Sequence, residues 1–301
     1  MKLTILGCYS ATPRKFNNPT AQLLEIKGRL FLIDCGEGTQ VALRKSKSKF
    51  ARVKHIFISH LHGDHFYGLI GLISTFHLLG RDATLTIYGP TGIRQIIELQ
   101  LKFSGTKLNF PLEFIELESR ESIKIYEDEK LTVSTIPLDH RVYTNGFLFQ
   151  EKEGERKLNV DAAEEYNIDK SYYRKLKLGY DVINNKGKLI ENHLVTFPPE
   201  PPKSYAFCSD TQYYPPIIPL IKNVTVLYHE STFLETHKEY CDITKHSTAK
   251  QAATIAKNAK VGKLILGHYS TRYESIEFFK EEAQTVFKNT DIADDFKVFE
   301  F

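Results

Sequence analysis

The chain has 301 residues, with 40 Lys+Arg against 37 Asp+Glu and a formal charge of +3. Hydrophobic residues make up 42% and charged residues 26%, which excludes a disordered chain, and so small a net charge excludes a polyanion binder that works by overall charge alone. Four cysteines, Cys8, Cys35, Cys208 and Cys241, stand apart with no C-x-x-C pair, so reduced thiols and a cytoplasmic location are expected.

The opening Leu3–Leu6 run is too short for an export signal and reads as a first strand. Leu23–Ile26 and Leu30–Ile33 form a hairpin around Lys27-Gly28. A Gly-rich corner, Asp34 to Gln40, leads into a helix through Leu43. His55–Ser59 is a buried strand by its β-branched and aromatic content. An apolar helix from Phe66 to Leu79 follows, short of the ~20 residues that cross a bilayer, so no membrane partner is expected. Leu85–Tyr88 is a strand and Gly92–Leu101 a helix. Strands then dominate: Leu112–Leu117, Ser122–Tyr126 and Leu131–Ile136. The last third alternates again, with strands Tyr205–Cys208, Val224–Tyr228 and Lys263–Leu266 and helices Ala249–Lys257 and Glu274–Phe287. Helices interleaved with strands predict a layered α/β domain spanning residues 1–301. The charge-dense, proline-terminated stretch at about 151–204 reads as an inserted arm.

Ser59-His60-Leu61-His62-Gly63-Asp64-His65 places three imidazoles and a carboxylate directly after a buried strand. Imidazole nitrogen and carboxylate oxygen are the donors that Zn²⁺ and similar first-row metals take. Four such residues packed this closely in a core would each need a separate buried partner. The turn at Gly63 can aim His60 and His62 at one point and Asp64 and His65 at another. Three further strand ends deliver one donor each: His140 after Leu131–Ile136, Asp210 after Tyr205–Cys208, and His268 after Lys263–Leu266. Together they predict a single dinuclear centre.

The H-x-H-x-D-H run with its downstream His, Asp and His resembles the metallo-β-lactamase fold. Asp34-Cys35-Gly36-Glu37-Gly38-Thr39-Gln40, Pro137-Leu138-Asp139-His140, His229-Glu230-Ser231-Thr232 and His246-Ser247-Thr248-Ala249 narrow the likeness to the ribonuclease Z family, whose motifs appear here in order over nearly the whole chain. That resemblance implies an αβ/βα sandwich of two β-sheets flanked by helices, a homodimer, and cleavage of the 3′ trailer from precursor tRNA. It implies two Zn²⁺ ions per chain, one held by His60, His62 and His140, the other by Asp64, His65 and His268, with Asp210 between them. Mn²⁺, Fe²⁺ or Co²⁺ would suit the same donors.

The chemistry suits these residue types. Two metals lower the pKa of water toward ~7 and clamp a phosphate oxygen. Asp64 can both ligate and accept the proton of that water. His246, oriented by Glu230, is the candidate acid for the leaving 3′-oxygen. Asp34 reads either as a hydrogen-bond acceptor for a ligand imidazole or as a turn aspartate, and His229 either as a partner near the centre or as a loop buttress.

Two patches bear on nucleic acid. Arg44, Lys45, Lys47, Lys49, Arg52 and Lys54 form an acid-free basic run, which also reads as a solvated helix end. In the arm, Lys170 to Lys177 interleaves cations with aromatics, which suits phosphates and stacking, and makes Arg174, Lys175 and Lys177 candidate tRNA contacts. In the family such an arm grips tRNA from the other subunit. Its usual Gly-Pro-rich turn is replaced here by Asn167-Ile168-Asp169-Lys170. Lys15 is a further candidate contact, in a loop where Asn17 replaces the family's Arg. The same fold would also serve a small phosphodiester, thioester or lactone hydrolase, or a non-catalytic relative.

Overall fold

The computed structural model describes residues 1–12 and 17–301. The first part of the chain forms β1 (Lys2–Gly7), β2 (Ala21–Ile26), β3 (Arg29–Ile33), α1 (Thr39–Lys45), β4 (His55–Phe57), α2 (Gly63–Phe66), α3 (Leu69–Leu78), β5 (Leu85–Pro90), α4 (Ile93–Phe103) and β6 (Leu112–Leu117). Strands β7 (Lys124–Glu127), β8 (Leu131–Pro137) and β9 (Asn145–Glu151) follow. Next come β10 (Lys157–Leu158), α5 (Val160–Glu165), α6 (Tyr173–Lys177), β11 (Val182–Ile183), β12 (Leu189–Ile190), α7 (Asn192–Val195) and β13 (Thr196–Phe197). The chain ends with β14 (Ser204–Cys208), β15 (Val226–Glu230), α8 (Cys241–Thr244), α9 (Ala249–Ala259), β16 (Lys263–Gly267), α10 (Glu277–Gln284), β17 (Thr290–Ile292) and β18 (Val298–Glu300).

Two seven-stranded sheets result, in the orders β18-β1-β2-β3-β4-β5-β6 and β17-β16-β15-β14-β9-β8-β7. In the first, β1 to β3 pair antiparallel and β3 to β6 parallel. In the second, β14 to β17 are parallel. Alternation along the strands sorts the residues. Leu30, Leu32, Ile56 and Ile58 join Leu43, Leu69, Ile73 and Ile97 in one core with α1, α3 and α4. Their neighbours Phe31 and Phe57 point the other way and meet Phe149 and Phe147 of β9, with ring centroids 5.5 and 5.3 Å apart. Aromatic rings of these strands therefore meet between the sheets, while the core under the helices is mainly aliphatic, with Phe50, Phe66 and Phe76 among it. On the second sheet α9 buries Ala249, Ala252, Ala253, Ala256 and Ala259, small residues that let a helix lie close.

The apolar helix expected over 66–79 is broken. α2 ends at Phe66 and α3 starts at Leu69, because the backbone there bonds the corner after Asp34 instead: the His65 carbonyl accepts from the Cys35 amide at 2.7 Å, and the Gly68 amide donates to the Cys35 carbonyl at 2.9 Å. Strand β4 stops at Phe57, two residues earlier than expected, since Ser59 leaves the ladder to bond Asp34. Helix α10 is shorter at both ends than its pattern suggested. Strands β9, β17 and β18 were not foreseen. β9 and β17 lie beside the strands that precede them, β8 and β16, whereas β18 depends on a partner remote in sequence, pairing Glu300 to Lys2.

Residues 127–131 and 150–202 form a separate compact unit. It has its own small core of Ala163, Ile168, Leu176, Val182, Ile190 and Val195. Asn192 ties it together, donating to the carbonyls of Leu176 and Tyr180 at 2.7 and 3.0 Å.

Candidate active site

Donor residues collect at the ends of β4, β8, β14 and β16. Asp34, with φ of 55° and fully buried, accepts from the Ser59 amide at 2.7 Å and the Ser59 hydroxyl at 2.9 Å. Its Oδ2 also lies 2.7 Å from His65 Nδ1. Asp34 is therefore both a turn aspartate and an imidazole partner.

A pattern runs through four of the histidines. Nδ1 of His65 donates to Asp34, Nδ1 of His140 to the Lys245 carbonyl at 2.8 Å, Nδ1 of His268 meets Thr232 Oγ1 at 2.9 Å, and Nδ1 of His60 meets Ser59 Oγ at 3.0 Å. Each Nε2 lone pair is left facing the centre. His62 instead turns Nδ1 inward, 3.1 Å from His60 Nε2 and 3.3 Å from His140 Nε2.

Two donor groups form, His60, His62, His140 and Asp210 on one side and Asp64, His65 and His268 on the other, and a third set, Asp210, His246 and His268, overlaps both. Asp210 serves both. Its Oδ2 is 3.6 Å from His60 Nε2 and 3.9 Å from His140 Nε2, while Oδ1 is 3.4 Å from His65 Nε2 and 3.3 Å from His268 Nε2. Asp64 Oδ2 lies 3.5 Å from both His65 Nε2 and His268 Nε2. Bonds of ~2.0–2.1 Å in tetrahedral geometry place donor atoms about 3.3 Å apart, which is the spacing found. His65 Nε2, His268 Nε2 and Asp210 Oδ1 are moreover buried without any hydrogen-bond partner, a costly state unless a cation satisfies them. The residues fit divalent metal ions.

Electrostatics agree. Burial lowers the pKa of His60 and His62, and takes His140 down to about 4, which keeps these imidazoles neutral with a lone pair to give. Burial opposes charge on Asp210, but His268, His65 and His60 outweigh it and hold the carboxyl well below the usual range. On His65 burial is overcome by Asp210, Asp64 and Asp34, which raise its pKa.

Beside the donors, His246 Nδ1 is 2.8 Å from Glu230 Oε1. The same carboxylate accepts from the amides of Thr211 and Ser247, and its Oε2 from the amide and hydroxyl of Thr232. Burial opposes charge on Glu230, but the His246 ring outweighs it and holds the wholly buried carboxyl below its usual range. The His246 ring lies 5.0 Å from that of His140 and 5.3 Å from that of His268. Thr248, two residues on, caps α9 with Gln251 in a reciprocal box, so the helix start fixes the His246 backbone.

His229 stands apart from this set. Its Nδ1 bonds the Glu230 carbonyl at 2.7 Å, and it belongs to neither donor group. Lys15 lies outside the described residues. Arg174, Lys175 and Lys177 are exposed on one turn around buried Leu176. Tyr172 and Tyr173, read as stacking residues, instead pack on the small core there, because the short helix needs apolar cover. Sequence reasoning passed over Ser59, Thr232 and Lys245. Lys245 has φ of 54°, gives its carbonyl to His140 and puts its ammonium 2.7 Å from Asp139. Only the short lysine-to-histidine step before His246 hinted at it.

Two sheets between helices, with imidazoles and carboxylates gathered at strand ends, define a metal-dependent hydrolase of the metallo-β-lactamase fold. The chain is 44% identical to the ribonuclease Z of Bacteroides thetaiotaomicron over 97% of its own length and 92% of that protein. Human tRNase Z, short form, superposes with a TM-score of 0.72 at 27% identity, over 100% of this chain and 99% of that one. The metallo-β-lactamase fold protein YhfI of Bacillus subtilis shares the fold with a TM-score of 0.70 at 20% identity, over 100% and 99% of the two chains. The chain belongs to the ribonuclease Z family, and its residues 1–175 also match the family model described as Anti-Pycsar protein Apyc1. That match ends before Asp210, His246 and His268.

Proposed function

We propose that the chain is an endoribonuclease that removes the 3′ trailer of precursor tRNA, with two Zn²⁺ ions held by His60, His62 and His140 and by Asp64, His65 and His268, and shared by Asp210. The observation that carries this reading is the buried Glu230–His246 pair set against both donor groups. Such metals polarise water and neutralise charge on a phosphate. The chain's own groups do the rest. Asp64, steadied by the Ala11 amide at 2.8 Å, accepts a proton from the attacking water. His246 gives one to the departing 3′-oxygen, and Glu230 keeps its Nδ1–H outward from the centre and supports the positive ring. Asp34, Thr232 and the Lys245 carbonyl hold ligand rings in one tautomer, and His229 buttresses the loop beyond β15.

The segment 151–204 serves as a tRNA-gripping arm. Arg174, Lys175 and Lys177 present phosphate-binding charge there, and Arg174 and Lys177 line a cavity of about 890 Å³ with Arg156, Lys157 and Tyr173. Lys15 adds a contact near the tRNA end. In a homodimer the arm would reach the partner's substrate. A cytoplasmic location suits this task, and among the described residues no helix is long and apolar enough to cross a membrane.

Purified protein incubated with a 3′-extended tRNA transcript and with a chromogenic phosphodiester tests the reading. The expected result is one cut that releases the trailer and is abolished by a chelator, with close to two metals per chain by elemental analysis. Hydrolysis of the small ester alone would overturn the tRNA assignment, and at most one metal per chain under replete conditions would overturn the dinuclear one.

A further inference from the structure

The acid-free basic run found in the sequence is not absorbed by the site. Helix α1 starts beside Asp34 and ends at Lys45, roughly 10 Å of helix further from the centre. There a cavity of about 590 Å³ opens, lined among others by Lys2, Lys45, Lys47, Lys49 and Arg52. A second cavity of about 330 Å³ shares Lys47, Ser48 and Lys49 with it and adds Arg44. Glu25 is the one acidic side chain among the described residues lining either. Lys2 lies at the start of β1, whereas the other end of that strand leads to Cys8, whose carbonyl receives the His268 amide at 2.7 Å. The groove is thus at the opposite pole of β1 from the metal donors.

An aromatic side chain stands at the same groove. Phe296 lines the groove 38% exposed, with φ of 66°. A bulky residue in the left-handed region is strained, and strain of this kind persists where surrounding structure enforces it. Here the Phe296 amide bonds the Ile5 carbonyl at 2.8 Å, which holds the ring at the rim. Lys47 is held left-handed too, with φ of 53°. Cations along a groove, an aromatic face at its edge and almost no acid are the features that bind single-stranded nucleic acid without reading sequence, through phosphates and one stacked base.

We infer that this groove binds single-stranded RNA and, resting on the activity proposed above, that its occupant is the far end of a long 3′ trailer. The charge is local, so it is compatible with a chain that carries a net charge of only +3. Lys2, Lys45 and Lys49 are exposed, which leaves their ammonium groups available to phosphate.

The test compares precursor tRNAs with a two-nucleotide and a twenty-nucleotide trailer, with the holoenzyme. Phe296→Gly suits the left-handed backbone, which offsets part of the apolar burial lost with the ring, so the variant should still fold and its Tm is measured beside wild type. The KM advantage of the long trailer should fall about tenfold in Phe296→Gly, the size of one lost stacking contact. In Lys2→Ala/Lys45→Ala/Lys49→Ala the log–log salt slope for the long substrate should drop by about 2, at ~0.7 per single-strand phosphate. The short-trailer substrate and a small phosphodiester should behave as in wild type. Equal losses on both trailer lengths would show that the groove holds the tRNA body, and no change on either would show that it holds no RNA; both overturn the inference. If the wild type cleaves no precursor, the activity reading fails by itself. Anisotropy of a labelled twelve-residue oligouridylate, weakened or not by Phe296→Gly, then decides the groove separately.

Discussion

Two side chains near the centre can be told apart by how they fail. Asp64→Ala removes a donor from one metal group and the acceptor of the water proton, so activity should vanish on every substrate. His246 belongs to the leaving-group side. His246→Ala should keep both metals and tRNA binding but lose about 10²–10⁴-fold in turnover. On a nitrophenyl ester, whose leaving group needs little protonation, the loss should be much smaller; equal losses on both substrates would remove His246 from that role. The pH profile gives a finer reading. Burial pushes the His246 pKa down, but the Glu230 carboxylate and its hydrogen bond push it further up, for a net rise. A group that must be protonated to act loses function as pH climbs through its pKa. Glu230→Gln removes the raising partner and leaves the burial, so the basic limb of kcat/KM for tRNA should move to lower pH. A limb that stays in place would show that His246 is not the acid titrating there.

Short elements carry the precision of the site. α2 is a single turn that positions Asp64 and His65, and it is clamped from outside: a Cβ at Gly36 would overlap the Asp64 carbonyl, and one at Gly68 the Gly36 carbonyl. These two glycines set how closely the Asp34 corner approaches the histidine turn. Gly68→Ala should therefore cost about 1–3 kcal/mol of stability, as overpacking does. It should also weaken metal retention, because the displaced element holds two donors of one group. Thermal melts with and without added Zn²⁺ measure both effects. An unchanged Tm would mean that the loop yields freely. Helix α9 has a different task, since its capping box fixes Thr248 and hence the backbone two residues before it, where His246 sits.

At the scale of the molecule the chain separates a catalytic body from an accessory unit with its own core. β9 and β14 are neighbours in the second sheet, where Gly146 packs against Phe207 and Cys208. A short Gly/Ser linker in place of residues 153–202 leaves the residues of both strands whole. The shortened protein should keep its metals and hydrolyse a small phosphodiester, while kcat/KM for precursor tRNA falls steeply through KM. Loss of both activities together, or unfolding, would make the segment a cover for the body rather than a substrate grip.

The donor residues were legible because metal chemistry restricts the residue types, and because strand ends are where a sheet can present a side chain to a cleft. His60, His62, Asp64, His65, His140, Asp210 and His268 could each be named from type and position alone, and the structure brings all seven together. The layered α/β class followed from the alternation of periods. What the linear pattern could not carry is anything set by partners distant in sequence. Strand β18 exists because β1 offers it an edge, and the α2–α3 break exists because Cys35 takes the backbone bonds of His65 and Gly68. The arm's tyrosines were assigned to stacking because nothing local shows that Leu176 and Val195 need cover. The tautomer of each ligand was likewise a tertiary matter: Asp34, Ser59, Thr232 and the Lys245 carbonyl come from four different loops. A sequence determines which atoms can bind a metal; only the folded backbone decides which nitrogen of each ring is left free to do it.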